Sequence, residues 1–260
     1  MPQLAANLST LFTELPFLDR YDAAAAAGFR AVECQFPYGA PAEAIRERLE
    51  RRGLEQILIN TPSGNAAARE RGLAGLPGRT AEFRECFAQA LYYARVLDCH
   101  RIHVMAGVCP PRHERSACHD VFVENLRWAA DECVDDIELL VEPINTRVDV
   151  PGYLIDSSAM ALECIRRAAR PNLRLQFDVY HLQIMEGDLA RSLERLLPQI
   201  GHVQIADNPG RHEPGTGEIN FPWLLAWLDE LGYAGWVGCE YAPTAGTLDS
   251  LAWAAPYLSR

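Results

Sequence analysis

Basic charge is scarce in this sequence. Its 24 Lys and Arg face 35 Asp and Glu, for a formal net charge of −11 at pH 7, and no Lys/Arg run offsets this locally. A nucleic-acid backbone would find no surface from which counterions could be released, so DNA and RNA are excluded as expected partners. Long apolar runs are also missing. No stretch approaches the ~20 residues needed to span a bilayer, and Met1–Asn7 lacks the basic start and long apolar middle of a signal peptide. The expectation is a cytoplasmic protein without a membrane partner. The eight cysteines, Cys34, Cys86, Cys99, Cys109, Cys118, Cys133, Cys164 and Cys239, include no C-x-x-C pair. This spacing argues against a thiolate zinc site and a disulfide framework, and the cysteines read as buried thiols. No G-x-G-x-x-G turn follows the first strand candidate, which argues against a dinucleotide-binding doubly wound sheet.

What is present is repetition. Short runs rich in Val, Ile and Leu alternate with longer amphipathic stretches, with no low-complexity linker between them. The strand candidates are Leu4–Leu8, Ala31–Gln35, Glu55–Ile59, Arg101–Met105, Leu139–Glu142, Leu173–Asp178, His202–Ala206 and Trp236–Glu240. Helix candidates lie between them at Phe17–Ala27, Ala42–Arg52, Thr80–Leu97, Ser116–Cys133, Ser157–Arg170, Leu189–Leu197, Phe221–Leu231 and Leu248–Leu258. Eight evenly spread βα units in 260 residues, close to the ~250 of one closed barrel, predict an α/β fold, a (β/α)₈ TIM barrel spanning residues 1–260 as one domain.

In such a barrel the chemistry sits at the C-terminal ends of the strands, so a polar residue ending an apolar strand is a candidate. Glu142, Asp178, Gln204 and Glu240 occupy such positions on the fifth to eighth strands. Carboxylates crowded at one mouth repel one another unless a cation compensates them, and a divalent metal is the simplest solution. Oxygen ligands of this kind suit Mg²⁺ or Mn²⁺ better than zinc. His181, three residues past Asp178, reads either as a site residue or as a histidine that merely starts a helix. His202 shares a strand face with Gln204 and is equally readable as a layer residue inside the barrel, and Glu33 as a supporting acid or as a partner to a substrate group. The Gly/Pro-rich loop from Asp207 to Asn220 suggests a binding wall in which Arg211 offers a planar fork to a carboxylate or hydroxyl. A second such segment, Asn60 to Gly78, could cover the mouth as a lid.

At these residues the chain resembles the hydroxypyruvate isomerase family of xylose isomerase-like TIM barrels over nearly its full length. The resemblance is carried by Ala6-Asn7-Leu8-Ser9, Gly28-Phe29-Arg30-Ala31-Val32-Glu33, Phe36-Pro37-Tyr38, Glu70-Arg71-Gly72, Val141-Glu142-Pro143-Ile144-Asn145 and Asp178-Val179-Tyr180-His181. Gly201 through Pro209, Glu213 through Asn220 and Gly235 through Tyr241 complete it. It implies that Glu142, Asp178, Gln204 and Glu240 bind a divalent ion, that Glu142 and Glu240 are also the acid/base pair, and that His181 and Arg211 touch substrate oxygens. The implied reaction isomerises a small sugar acid through an enediolate, hydroxypyruvate to tartronate semialdehyde first, with a 2-oxo-tetronate isomerase or ketose 3-epimerase as alternatives on the same site. Asn65 stands where family members commonly have Asp, and Ala106–Pro110 where they have a Lys, which bears on substrate choice. A barrel-type endonuclease and a non-catalytic sugar-acid binder are the competing classes. The sequence leaves a homo-oligomer open.

Overall fold

The computed structural model describes residues 1–65, 67, 70–111, 113–133 and 137–258. Among them, eight parallel strands form a closed barrel in chain order: β1 (Gln3–Asn7), β2 (Ala31–Cys34), β3 (Glu55–Asn60), β4 (Arg101–His103), β5 (Glu138–Val141), β6 (Leu173–Asp178), β7 (Ile200–Ile205) and β8 (Trp236–Cys239). The ring closes where Leu4 of β1 sits beside Val237 of β8. The crossovers run through α1 (Phe17–Ala26), α2 (Ala42–Arg52), α3 (Thr80–Leu97), α4 (Arg115–Glu132), α5 (Ser158–Ala168), α6 (Val179–Met185), α7 (Leu189–Leu196) and α8 (Phe221–Glu230).

Period-two alternation within the strands creates two separate cores. Residues such as Ile102, Leu139, Val141, Val203 and Val237 face the helices and join the large outer cluster. Their neighbours face the lumen, where Ala5, Ala31, Ile57, Leu58 and Leu140 pack into a small apolar floor. Above that floor the inward positions turn polar and remain buried: Asn7, Glu33, His103, Gln176, His202 and Gln204 are all nearly inaccessible to solvent. Burial demands hydrogen bonds of such groups, and Asn7, Glu33, Gln176, His202 and Gln204 make them; the layer lies toward the end of the barrel where function belongs.

The structure shifts several boundaries. The strands expected to end at Glu142 and Glu240 stop one residue earlier, leaving both glutamates just beyond the barrel rim. The helix expected over Leu248–Leu258 breaks into Thr247–Ser250, a 3₁₀ turn at Ala252–Ala254 and Ala255–Leu258. Pro256 explains the break, since it brings no N–H to a continuing helix and its ring clashes with the preceding turn. A helix outside the expected spans, α6, begins directly after β6, in line with the reading of His181 as a helix-start residue, because the Asp178 carboxylate accepts the Tyr180 and His181 N–H groups at 2.8 and 3.4 Å. The eight cysteines are free; Cys34, Cys99, Cys118, Cys164 and Cys239 are buried, whereas Cys86, Cys109 and Cys133 are only half-buried.

In the Gly/Pro-rich segment after β3, Ala66, Ala68 and Arg69 lie outside the described residues. The part from Gly72 to Gly75 is tied to the loop after β4 by Ala74 N–H to Met105 O and Gly75 N–H to Ala106 O. Gly72 has φ +116°, and a Cβ there would meet Met105 O at 2.3 Å; only glycine permits that approach.

Candidate active site

Glu142 follows β5, Asp178 ends β6 and Glu240 follows β8, and all three residues are at most 5% exposed. Arg211, from the loop after β7, reaches into the same space. Its Nη2 lies 3.1 Å from Glu240 Oε2 and 3.6 Å from Asp178 Oδ2, and its Nη1 lies 3.5 Å from Asp149 Oδ2. The guanidinium also covers the Tyr180 ring at 5.2 Å. Gln35 donates its side-chain N–H to Glu240 Oε1.

The loop carrying Arg211 is built around Asp207. That buried carboxylate accepts backbone N–H groups from Asn208, Gly215, Gly217 and Ile219 at 2.8 to 3.1 Å. Arg211 itself is held at φ +57°, an uncommon conformation for a side-chain-bearing residue.

Electrostatics in this space follow from three buried carboxylates sharing one guanidinium. Burial pushes the Glu142 carboxyl well above its usual range, and Glu240 and Asp178 push it further against the opposing pull of Arg211. Glu240 is raised to about 8, by burial first; Arg211 resists, and Asp178 and Glu33 add to the rise. Asp178 is raised by burial despite Arg211 and its two backbone donors. Arg211 would lose basicity through burial alone, but the carboxylates around it outweigh that and hold it charged. One guanidinium does not compensate three carboxylates. Glu142, Asp178 and His181 each offer a ligand atom, all within 4.8 Å of one another, and this group could hold a metal ion.

The remaining expected site residues fall as follows. His181 is buried, with Nε2 3.6 Å from Asp178 Oδ2 and 3.9 Å from Glu142 Oε1. Gln204 is engaged at both ends: its N–H donates to Glu33 Oε1 at 2.7 Å, and its oxygen accepts from Gln176 at 2.5 Å. Glu33, open in the sequence between a supporting acid and a substrate partner, takes the supporting place. It also accepts Asn7 at 2.8 Å and sits 2.6 Å from His202 Nε2. His202 thereby belongs to the lumen layer below the mouth. A Cβ at Gly238 would meet the Glu33 carboxylate at 2.3 Å. Gly238→Ala is therefore expected to overpack this network and cost about 1–3 kcal/mol, read as a thermal midpoint several degrees lower; an unchanged midpoint would show that the layer yields freely.

Three residues escaped the sequence. His103, the last residue of β4, is fully buried with Nδ1 3.2 Å from Glu142 Oε2, yet neither ring nitrogen makes a well-aligned hydrogen bond. Burial, with His181 nearby, drops its pKa to about 3. Period two in β4 could have found it, since Ile102 faces the helices. Asn145 and Asp149, in the loop after β5, contact His181 and Arg211 respectively, and no periodicity marks a loop residue.

Residues 21–257 match the family model described as xylose isomerase-like TIM barrel. The chain belongs to that family. Along its whole length this xylose isomerase-like barrel is 50% identical to the 2-oxo-tetronate isomerase of Cupriavidus necator, covering 100% of both chains. It is 45% identical to the hydroxypyruvate isomerase of Escherichia coli, over 99% of this chain and 100% of that one. A solved structure from Brucella melitensis, described as an AP endonuclease, family 2, superposes with a TM-score of 0.96 at 49% identity over 99% of each chain. Full-length relatives named as isomerases make this family member an isomerase. Among the described residues no helix is long and apolar enough to cross a membrane.

Proposed function

We propose that this protein is a metal-dependent isomerase of a small 2-oxo-3-hydroxy acid, converting it to the 2-hydroxy-3-oxo isomer by proton transfer through an enediolate. The observation that carries the reading is the convergence of Glu142, Asp178 and Glu240, buried at one barrel mouth with a single guanidinium. The sequence points first to hydroxypyruvate. Relatives named 2-oxo-tetronate isomerase stand at 50% and 41% identity and a hydroxypyruvate isomerase at 45%, which supports either acid, and the chemistry is the same for both.

Glu142 and Glu240 come from β5 and β8, so they approach a substrate in the mouth from different sides. One removes the C3 proton and the other delivers a proton to C2, while the hydroxyl proton passes from O3 to O2. A divalent cation, Mg²⁺ or Mn²⁺, held by Glu142, Asp178 and Glu240 with Gln204 as the fourth candidate, would supply Lewis-acid stabilisation of the charge developing on the two oxygens. Gln204 must exchange its bond to Gln176 to take part. Arg211 and His181 orient the substrate's oxygens by donating hydrogen bonds, and Arg211 suits the acid's carboxylate. The sequence contains no lysine, so a Schiff base on a lysine side chain is closed to it.

Proton NMR in D₂O with hydroxypyruvate, a 2-oxo-tetronate and free ketoses, with and without Mg²⁺ or Mn²⁺, tests this reading. Metal-dependent deuterium entry at C2 or C3 of an oxo acid is the expected result. Tight binding of the acid with no exchange would leave a binding protein, and exchange confined to ketoses would leave an epimerase. The endonuclease description of the Brucella neighbour gains no support from a chain of net charge −11, which disfavours a DNA groove.

A further inference from the structure

His181 can meet the mouth with either a proton or a lone pair on Nε2, and its surroundings decide which. Asn145 is the deciding neighbour. Its side-chain oxygen accepts the backbone N–H groups of Val148 and Asp149 at 3.0 and 2.9 Å, which fixes the amide orientation independently of the histidine. The amide nitrogen is thereby turned the other way. It donates one hydrogen to Asp149 Oδ2 at 3.0 Å and lies 2.7 Å from His181 Nδ1. The Asn145 backbone N–H points at the same ring nitrogen at 3.4 Å. Two donors facing Nδ1 require that nitrogen to be bare, since an N–H there would oppose N–H. A neutral imidazole with a bare Nδ1 carries its hydrogen on Nε2.

We propose that Asn145 is a positioning residue that fixes His181 as the Nε2–H tautomer, so that His181 presents the mouth with a hydrogen-bond donor and not a metal-binding lone pair. This rests on the isomerase reading above and deepens it. Nε2 stands 3.6 Å from Asp178 Oδ2 and 3.9 Å from Glu142 Oε1, too far to spend the hydrogen on either carboxylate. It remains free for a substrate oxygen, one whose negative charge grows as the neighbouring C–H bond breaks. Of the group Glu142, Asp178 and His181, the ion would then take the carboxylates and leave the imidazole to the substrate. The buried lone-pair acceptor on Nδ1 and the carboxylate at Asp149 make the Asn145 amide the hub of the arrangement.

The test exchanges the amide and the carboxylate. In the double variant N145D/D149N the loop keeps its charge, the carboxylate introduced at position 145 still accepts the two backbone N–H groups, and its second oxygen takes the place of the side-chain donor now 2.7 Å from His181 Nδ1, where it outweighs the more distant backbone N–H at 3.4 Å and draws the hydrogen onto Nδ1. NMR of protein labelled with ¹⁵N-histidine, assigned with a His181→Gln variant, reports which ring nitrogen bears the proton, in metal-free protein and with Mg²⁺ added. The expected wild-type spectrum has the proton on Nε2 in both states, and the exchanged variant has it on Nδ1. Thermal midpoints should agree within a few degrees. Against D149N alone, which keeps the Asn145 donor, the exchange should cut kcat/KM by about a further tenfold or more, the worth of one hydrogen bond to a developing charge. A wild-type proton on Nδ1, loss of the Nε2 proton on adding Mg²⁺, or an exchanged proton with no further loss of turnover would each overturn the proposal. If wild type turns over none of the oxo acids, the isomerase reading fails, while the spectrum still decides the tautomer.

Discussion

Dialysis against a chelator is expected to bring turnover of the oxo acid to background, and Mg²⁺ or Mn²⁺ to restore it. The reason is electrostatic. Glu142, Asp178 and Glu240 are all held above their usual carboxylate range by burial, and Glu142 and Glu240 also by their carboxylate neighbours, and a cation reverses this by favouring their ionised forms. A stability effect follows with a definite sign. A carboxyl whose folded pKa exceeds its unfolded value binds more protons in the fold, so stability falls as pH rises between the two values. For Glu240 that window runs from about 4.5 to about 8. The metal-free protein should therefore lose thermal stability between pH 5 and pH 8, and the rise in midpoint on adding Mg²⁺ or Mn²⁺ should be larger at pH 8. Full activity after chelation, or a metal-induced shift confined to low pH, would remove the ion from the account.

Glu240→Gln is expected to lower kcat by about 10²-fold or more, the usual contribution of a general acid or base, while retaining part of the metal affinity. The amide keeps one oxygen for the ion but cannot take up a proton. Both Glu240 oxygens accept donors, Gln35 on Oε1 and Arg211 on Oε2 at 3.1 Å, so the amide must give up one of them. Above pH 8, where Glu240 is ionised, loss of a buried charge beside Asp178 opposes that cost, and there the metal-free variant should melt within a few degrees of wild type. A metal titration by Mn²⁺ electron paramagnetic resonance separates lost chemistry from lost binding. Turnover near wild type on the true substrate would take the proton-transfer role away from Glu240.

The barrel was legible because closure needs only a repeating pattern of apolar strand and amphipathic helix, and that pattern survives in the sequence without linkers. The rim carboxylates were legible for the same reason: a charge at the end of an apolar run has one geometric meaning in such a fold. His103 was missed although period two puts it opposite Ile102, because it lies within the expected strand Arg101–Met105 and not at its end, the one place where a polar residue has a geometric meaning. Asn145 and Asp149 sit in an irregular loop, where contacts depend on how the backbone turns and not on spacing. Gln204 shows the opposite limit, since its place in the lumen followed from alternation but its bonds to Glu33 and Gln176 did not. The expected final helix failed locally, because period alone ignored what Pro256 removes.

The pairing of β1 with β8 sets the order in which this protein can come into being at the ribosome. Until Trp236–Cys239 has emerged, the opening strand and β7 both expose bare edges, available to any other nascent chain. Glu240 arrives one residue after that last strand. Closing the ring and completing the proposed proton-transfer pair are thus one event, and on that proposal a chain too short to shut its barrel is also too short to work.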